Sequence, residues 1–162
     1  ILNSTTNLIL TLMEQGQTFE EAVAHTQSIG IAETDPSGDI EGWDAAIKVS
    51  ALVTVLMAAN LKPSAVERKG IESLDSEDIK SAAAEGKRWK LICQAERTDS
   101  GIATSVRPEL LDPGDPLYSV MGTSSAVTFH SDILGPLTIT ESDPGPHTTA
   151  YGLLADFINA VR

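Results

Sequence analysis

Asp39-Ile40-Glu41-Gly42-Trp43-Asp44-Ala45-Ala46-Ile47-Lys48-Val49-Ser50-Ala51-Leu52-Val53-Thr54-Val55-Leu56-Met57-Ala58-Ala59 is the stretch on which the fold turns. Asp39 offers an N-cap oxygen, and past Lys48 the segment is almost wholly apolar. A helix that is apolar on most of its circumference has to be surrounded, so the pattern predicts a central buried helix over about 40–59 with the rest of the chain organised around it. The uncharged run from Val49 to Leu61 is too short to span a bilayer.

Upstream, Leu8, Ile9, Leu12 and Met13 share one helical face over residues 7–15, and Gly16 closes that helix. Thr18 followed by Glu21 is the capping-box pattern, in which hydroxyl and carboxylate each satisfy an orphan amide, and it predicts a second helix to about Ile29, stopped at Gly30. Between the second helix and the central one, Asp35-Pro36-Ser37-Gly38 calls for a loop, because proline disfavours helix at the residue before it and glycine invites a turn.

Downstream of Pro63 the units shorten. Strands are predicted near 65–71, 87–97 and 101–108, a capped helix at 76–85, two further strands at 126–129 and 137–141 joined by a turn over 131–136, and a last helix over roughly 148–161. Strands interspersed with few helices define an α+β class: a mixed β-sheet with helices packed mainly on one face. At 162 residues the chain has the size of one domain, and 41% hydrophobic content suffices for a core.

Charge narrows the partners. Eleven Lys+Arg against 23 Asp+Glu give a net charge of -12, which repels phosphate backbones and anionic membranes, so neither nucleic acid nor membrane is an expected partner. The single cysteine, Cys93, sits in the apolar stretch Trp89 to Ala95 and reads as a small buried hydrophobe. With three scattered histidines, His25, His130 and His147, no spacing resembles a metal site. No signal peptide opens the chain, so a soluble, cytoplasmic protein is expected. The sequence starts at Ile1 and runs directly into amphipathic pattern, as a piece of a larger working unit would.

The chemistry concentrates at the head of the central helix, where Ala32 to Lys48 carries five carboxylates and one lysine. Asp44 and Lys48 lie four apart and share a helix face, the acid N-terminal to the base as the helix dipole prefers. Such a pair on an open surface contributes only a few tenths of a kcal/mol. Here Ile40, Trp43, Ile47, Val49 and Ala51 crowd the same turns, so at least one charge should be partly desolvated, which is costly without a task or a partner. A lysine at the edge of a low-dielectric pocket can exchange protons with a substrate oxygen, and the acids before it can hold an ammonium. The residues alone thus describe a site for a small, positively charged or zwitterionic ligand.

Ile1-Leu2-Asn3-Ser4-Thr5-Thr6-Asn7, the two helices after it, and then Glu33-x-Asp35-Pro36-x-x-Asp39-x-x-Gly42-x-Asp44-x-x-x-Lys48 closely resemble the catalytic region of homoserine dehydrogenases. The closing Thr148-Thr149-Ala150-Tyr151 with Asp156 resembles the last helix of that family, which packs back on the nucleotide domain, whereas 63–136 matches in pattern more than in residues. The resemblance implies that residues 1–162 form the substrate-binding and dimerising domain. Glu33 would bind the substrate amino group, Asp39 would order the same pocket, and Thr5 would contact substrate from the first helix. Lys48 would relay a proton or stabilise charge at the reacting oxygen, and Asp44 would set its protonation. The implied reaction is hydride transfer between L-homoserine and L-aspartate 4-semialdehyde with NAD or NADP, a step of threonine and methionine biosynthesis, in a homodimer.

Some parts of the family pattern are not in the sequence. The G-x-G-x-x-G turn of a dinucleotide site is nowhere in it, and the resemblance implies that the cofactor domain, a second lysine and a cation site of backbone carbonyls lie upstream of Ile1, without which the chain should not catalyse. Ser4 stands where many relatives have glycine, and Asp143-Pro144-Gly145-Pro146-His147 replaces a glycine-rich stretch before the last helix. That stiffer loop could alter cofactor preference or geometry, and it is the main support for a second reading, a non-catalytic amino-acid-binding or dimerisation module; a dehydrogenase of another amino-acid semialdehyde is a third. His147, at a helix start, reads as a cap or surface group.

Overall fold

The computed structural model describes residues 1–145 and 147–162 in full. Its elements run α1 (Ser4–Glu14), α2 (Phe19–Ser28), α3 (Ser37–Ile40), α4 (Trp43–Leu56), β1 (Glu67–Arg68), α5 (Ser76–Ala84), β2 (Arg88–Thr98), β3 (Gly101–Leu111), β4 (Ser125–Ser131), β5 (Gly135–Glu141) and α6 (Pro146–Ala160), with a 3-10 turn at Pro63–Ala65. The class is α+β, as the patterning predicts.

Instead of one sheet there are two. β1, β3 and β2 lie side by side in that order, β1 parallel to β3 and β2 antiparallel to it, while β4 and β5 form a separate hairpin. The strand predicted near 65–71 shrinks to the two residues of β1, because Pro63 starts a 3-10 turn and Gly70 is pressed against another backbone. The other predicted strands and α5 lie close to their expected places.

Alternation along β2 sorts its side chains. Leu91, with Trp89 and Cys93 beside it, faces the main core of Ile9, Leu10, Val49, Val53, Ile71, Ile79 and Val106. Ile92 faces a second cluster with Ile1, Leu111, Val120 and Ala126. Lys90 shares the parity of Ile92 and is fully buried, where its ammonium donates to Asn7 Oδ1 at 3.0 Å, to the Val120 carbonyl at 2.7 Å and to Met121 Sδ at 3.3 Å. Three acceptors for three ammonium hydrogens make the charge bearable in the interior. Burial lowers the Lys90 pKa to about 8, with the nearby Glu14 carboxylate opposing the drop.

The central helix differs from the expectation in two ways. It is shorter, Trp43–Leu56, and Asp39 does not cap it: Gly42, at φ 80 and ψ 16, precedes Trp43 and separates α4 from the single turn of α3. It is also buried on one face only. Ala45, Ala46, Val49, Ser50 and Val53 are inside, while Ile47, Val55 and Leu56 are exposed. The last helix likewise leaves Tyr151, Leu153, Leu154 and Phe157 at solvent. No helix among the described residues is long and apolar enough to cross a membrane.

Candidate functional site

The site is assembled at the start of α1, and its hub is Asn3. Asn3 is the N-cap of α1: its Oδ1 accepts from the Thr6 backbone N–H at 2.8 Å and from the Thr6 hydroxyl at 2.9 Å, which satisfies an amide that no helical carbonyl can reach. Its Nδ2 donates to Asp39 Oδ1 at 2.6 Å and to Asp44 Oδ2 at 2.9 Å. Asp44 Oδ2 also meets Lys48 Nζ at 2.7 Å, and Lys48 Nζ donates to the Leu2 carbonyl at 2.9 Å. The polar ring therefore closes on the two residues before α1.

The break at Gly42 makes this ring possible. On one continuous helix Asp39 and Asp44, five positions apart, would point in directions about 140° apart, given about 100° per residue. With α3 and α4 joined through a left-handed glycine, both acids reach one amide. The corner is clamped from beneath by residues 68–71. Arg68 lies 3.8 Å over the Trp43 ring and donates to the Glu41 carbonyl, and Ile71 N–H donates to the Ile40 carbonyl at 2.9 Å. Gly70 is pressed so close that a Cβ there would sit 2.1 Å from the Ile40 carbonyl oxygen.

Of the predicted residues, the structure brings Asp39, Asp44 and Lys48 together. Thr5 is buried on α1, and its hydroxyl donates to the Ile31 carbonyl at 3.4 Å, tying the head of the acid-rich loop to the helix. Glu33 stands apart: it is exposed, and only its backbone is engaged, by Gln27 Nε2 at 3.1 Å. The desolvation expected of the pair is modest, since the side chains of Lys48 and Asp44 retain 49% and 37% of their exposure. The desolvated polar residue is Asn3, at 4%. A cavity of about 550 Å³ lies on the Arg68 side of the corner, lined by Asp35, Ser37, Ile40, Glu41, Arg68 and Glu72 among others; none of the five predicted residues lines it.

Sequence reasoning missed Asn3. A signal was present, because Asn followed three residues later by a helical amide and then by the apolar run 8–13 is an N-cap pattern. That its second edge reaches two acids some 40 positions away could not be read from local sequence.

Two carboxylates on one carboxamide, with a lysine on the same oxygen, can do two things. They can hold a small ammonium, and they can keep an ammonium donor beside a reacting oxygen. This defines an α+β domain with a charged cluster at the head of its central helix. Residues 1–158 match the homoserine dehydrogenase family model. The chain is 43% identical over 160 residues to the NAD(+)-dependent homoserine dehydrogenase of Pseudomonas canavaninivorans, covering 98% of this chain and 46% of that protein. It is 32% identical to the homoserine dehydrogenase of Lactococcus lactis, covering 100% of this chain and 38% of that one. Its structure superposes on the Staphylococcus aureus homoserine dehydrogenase crystal structure at pH 7.5 with a TM-score of 0.89 and 32% identity, over 99% of this chain and 40% of that one. A hyperthermophilic archaeal homoserine dehydrogenase mutant in complex with NADPH superposes with a TM-score of 0.74 and 31% identity, over 99% and 46% of the two chains. The chain belongs to the homoserine dehydrogenase family, and it spans less than half the length of these relatives.

Proposed function

We propose that residues 1–162 are the substrate-binding and acid–base domain of a homoserine dehydrogenase that interconverts L-homoserine and L-aspartate 4-semialdehyde with NAD or NADP. The observation that carries the reading is Lys48 held between Asp44 and the Leu2 carbonyl at the mouth of an acidic cluster. Two of the three ammonium hydrogens are engaged, and the third has no acceptor among the described residues. Reduction of an aldehyde builds negative charge on its oxygen, and a hydrogen donated from Lys48 stabilises that charge and supplies the proton; oxidation of the alcohol runs the transfer backwards. Asp44 fixes the ammonium in place through the 2.7 Å contact. Asp39 and the exposed carboxylate of Glu33 would receive the substrate ammonium, and Thr5 would order the acid-rich loop through the Ile31 carbonyl.

The hydride partner is a nicotinamide dinucleotide. The residues of this chain do not fit the binding of its phosphates, since none of the helices opens on a G-x-G-x-x-G turn after a strand. Among the named relatives, one is NAD(+)-dependent and one is complexed with NADPH. A homodimer in the cytoplasm, serving threonine and methionine synthesis, completes the reading. The dimer is supported by the apolar surface left exposed on the hairpin at Phe129, Leu137 and Ile139.

The test is homoserine-dependent reduction of NAD⁺ and NADP⁺ by the complete gene product. Lys48→Ala should lower kcat about 100-fold or more, and Glu33→Ala should act mainly on the KM for homoserine. Wild-type turnover in Lys48→Ala would refute the assigned role, and an inactive but homoserine-binding wild type would favour the non-catalytic module.

A further inference from the structure

We propose that Asn3 is a positioning residue of the amino-acid site, its carboxamide setting Asp39 and Asp44 at a fixed separation and thereby placing Lys48. The catalytic part of this inference rests on the dehydrogenase reading above; the geometric part does not.

The amide has only one orientation consistent with its neighbours. Oδ1 faces two donors, the Thr6 N–H and hydroxyl, and Nδ2 faces two carboxylate oxygens. A flipped amide would set an oxygen against two anions and an NH₂ against an N–H, so the hydrogen-bond inventory excludes it. All four of its hydrogen-bonding positions are then used inside the protein, at 4% exposure, so Asn3 cannot serve as a substrate ligand without giving one up. Its role is to join elements. It ties the first turn of α1 to α3 through Asp39 and to α4 through Asp44, the two helices that meet at the left-handed Gly42.

The same segment also supplies the Leu2 carbonyl to Lys48, so residues 2 and 3 together engage Asp39, Asp44 and Lys48. Two carboxylates held within reach of one amide repel each other. The shared NH₂ offsets that repulsion without neutralising either, which leaves their charge available to a substrate ammonium. A misplacement of about 1 Å in such a constellation costs on the order of 100-fold in rate.

Asn3→Ser separates positioning from helix capping, because serine is an equally good N-cap acceptor but has no second donor to offer the acids. In the complete protein, Asn3→Ser should fold and melt close to the wild type while kcat/KM for homoserine falls about 100-fold, with losses in both kcat and KM. Combined with Asp44→Asn the losses should be far from additive, since both substitutions remove the same link. Wild-type kcat/KM in Asn3→Ser, or additive losses in the double variant, would overturn the proposal. A second measurement is independent of turnover: in nitrogen-edited NMR spectra, Asp39→Asn and Asp44→Asn should each shift a different one of the two Asn3 Hδ2 signals. Hδ2 signals that ignore both substitutions would overturn the geometry even if the wild type oxidises homoserine. Signals that respond as expected in a protein that does not oxidise homoserine would uphold the geometry and reject the dehydrogenase reading instead.

Discussion

Lys90→Met is the perturbation whose consequence can be worked furthest from the structure. The wild-type ammonium is fully buried on β2, and its pKa falls from 10.5 to about 8 because desolvation penalises the charged form. Between those two values the unfolded chain holds a proton that the folded chain has released, so stability rises with pH across the window. A drop of that size is worth about 3 kcal/mol at 1.36 kcal/mol per unit. Below pH 8 the folded protein bears the whole cost; above 10.5 it bears none. Cys93 works against this trend, because burial raises its thiol pKa above 9.0, so the unfolded thiol ionises first and stability falls as pH climbs. The difference between wild type and Lys90→Met removes that background. Methionine nearly preserves the volume but leaves Asn7 Oδ1 and the Val120 carbonyl without their donor, an offset of about 1–3 kcal/mol for each acceptor that does not depend on pH. Urea unfolding at pH 7.5, 9 and 10.5, with reductant present, should therefore show the wild type gaining on the variant by about 3 kcal/mol over the series. A difference that stays constant from pH 7.5 to 10.5 would refute the reasoning, since Lys90 would then titrate as a solvated lysine does.

Gly70→Ala forces a Cβ to within 2.1 Å of the Ile40 carbonyl oxygen and 2.5 Å of Glu41 Cα, both backbone atoms that cannot swing away, so it should destabilise the fold by about 3 kcal/mol in urea and, by shifting the corner, lower homoserine turnover as well. Glu14 has one carboxylate oxygen on Arg88 at 3.2 Å and the other buried with no partner, and burial raises its pKa. A carboxylate raised in the fold makes stability fall as pH climbs past 4.5, so Glu14→Gln should flatten the stability profile just above pH 4.5, as read by thermal melts across that range.

The parts of the fold legible in the sequence were those governed by local rules. Thr18 and Glu21 form the capping box that their spacing announces, and the hairpin of β4 and β5 falls on the two strands and turn expected there. The apolar spacing that starts at Leu8 predicts α1 three residues late, while the helix begins where Asn3 caps it. The break at Gly42 was obscured by the apolar run after it, although a glycine between Glu41 and Trp43 is where a left-handed turn costs least. Lys90 was hidden in a stretch that reads as apolar, because parity along a strand tells which face a side chain takes but not whether that face finds three acceptors.

The largest departure concerns α4, and its cause is physical. An apolar circumference states that a helix must be covered on all sides, but not by which residues. Within residues 1–162, β2, β3 and the 3-10 turn at Pro63–Ala65 pack on α4, whose face of Ala46, Val49 and Val53 is buried, while Val55 and Leu56 remain 78% and 57% exposed. α6 repeats the pattern with Leu153, Leu154 and Phe157. The acid cluster shows the converse. Its charges looked desolvated because apolar residues crowd them in sequence, yet Trp43 and Ile47 lie at the surface beside them, so Asp44 and Lys48 stay half open. Exposed apolar side chains flanking a half-open ion pair mark a surface whose dielectric falls once something covers it. The strength of the Lys48 to Asp44 contact, and with it the acid–base power proposed for Lys48, therefore depends on how far the Trp43 and Ile47 face is covered when the site works.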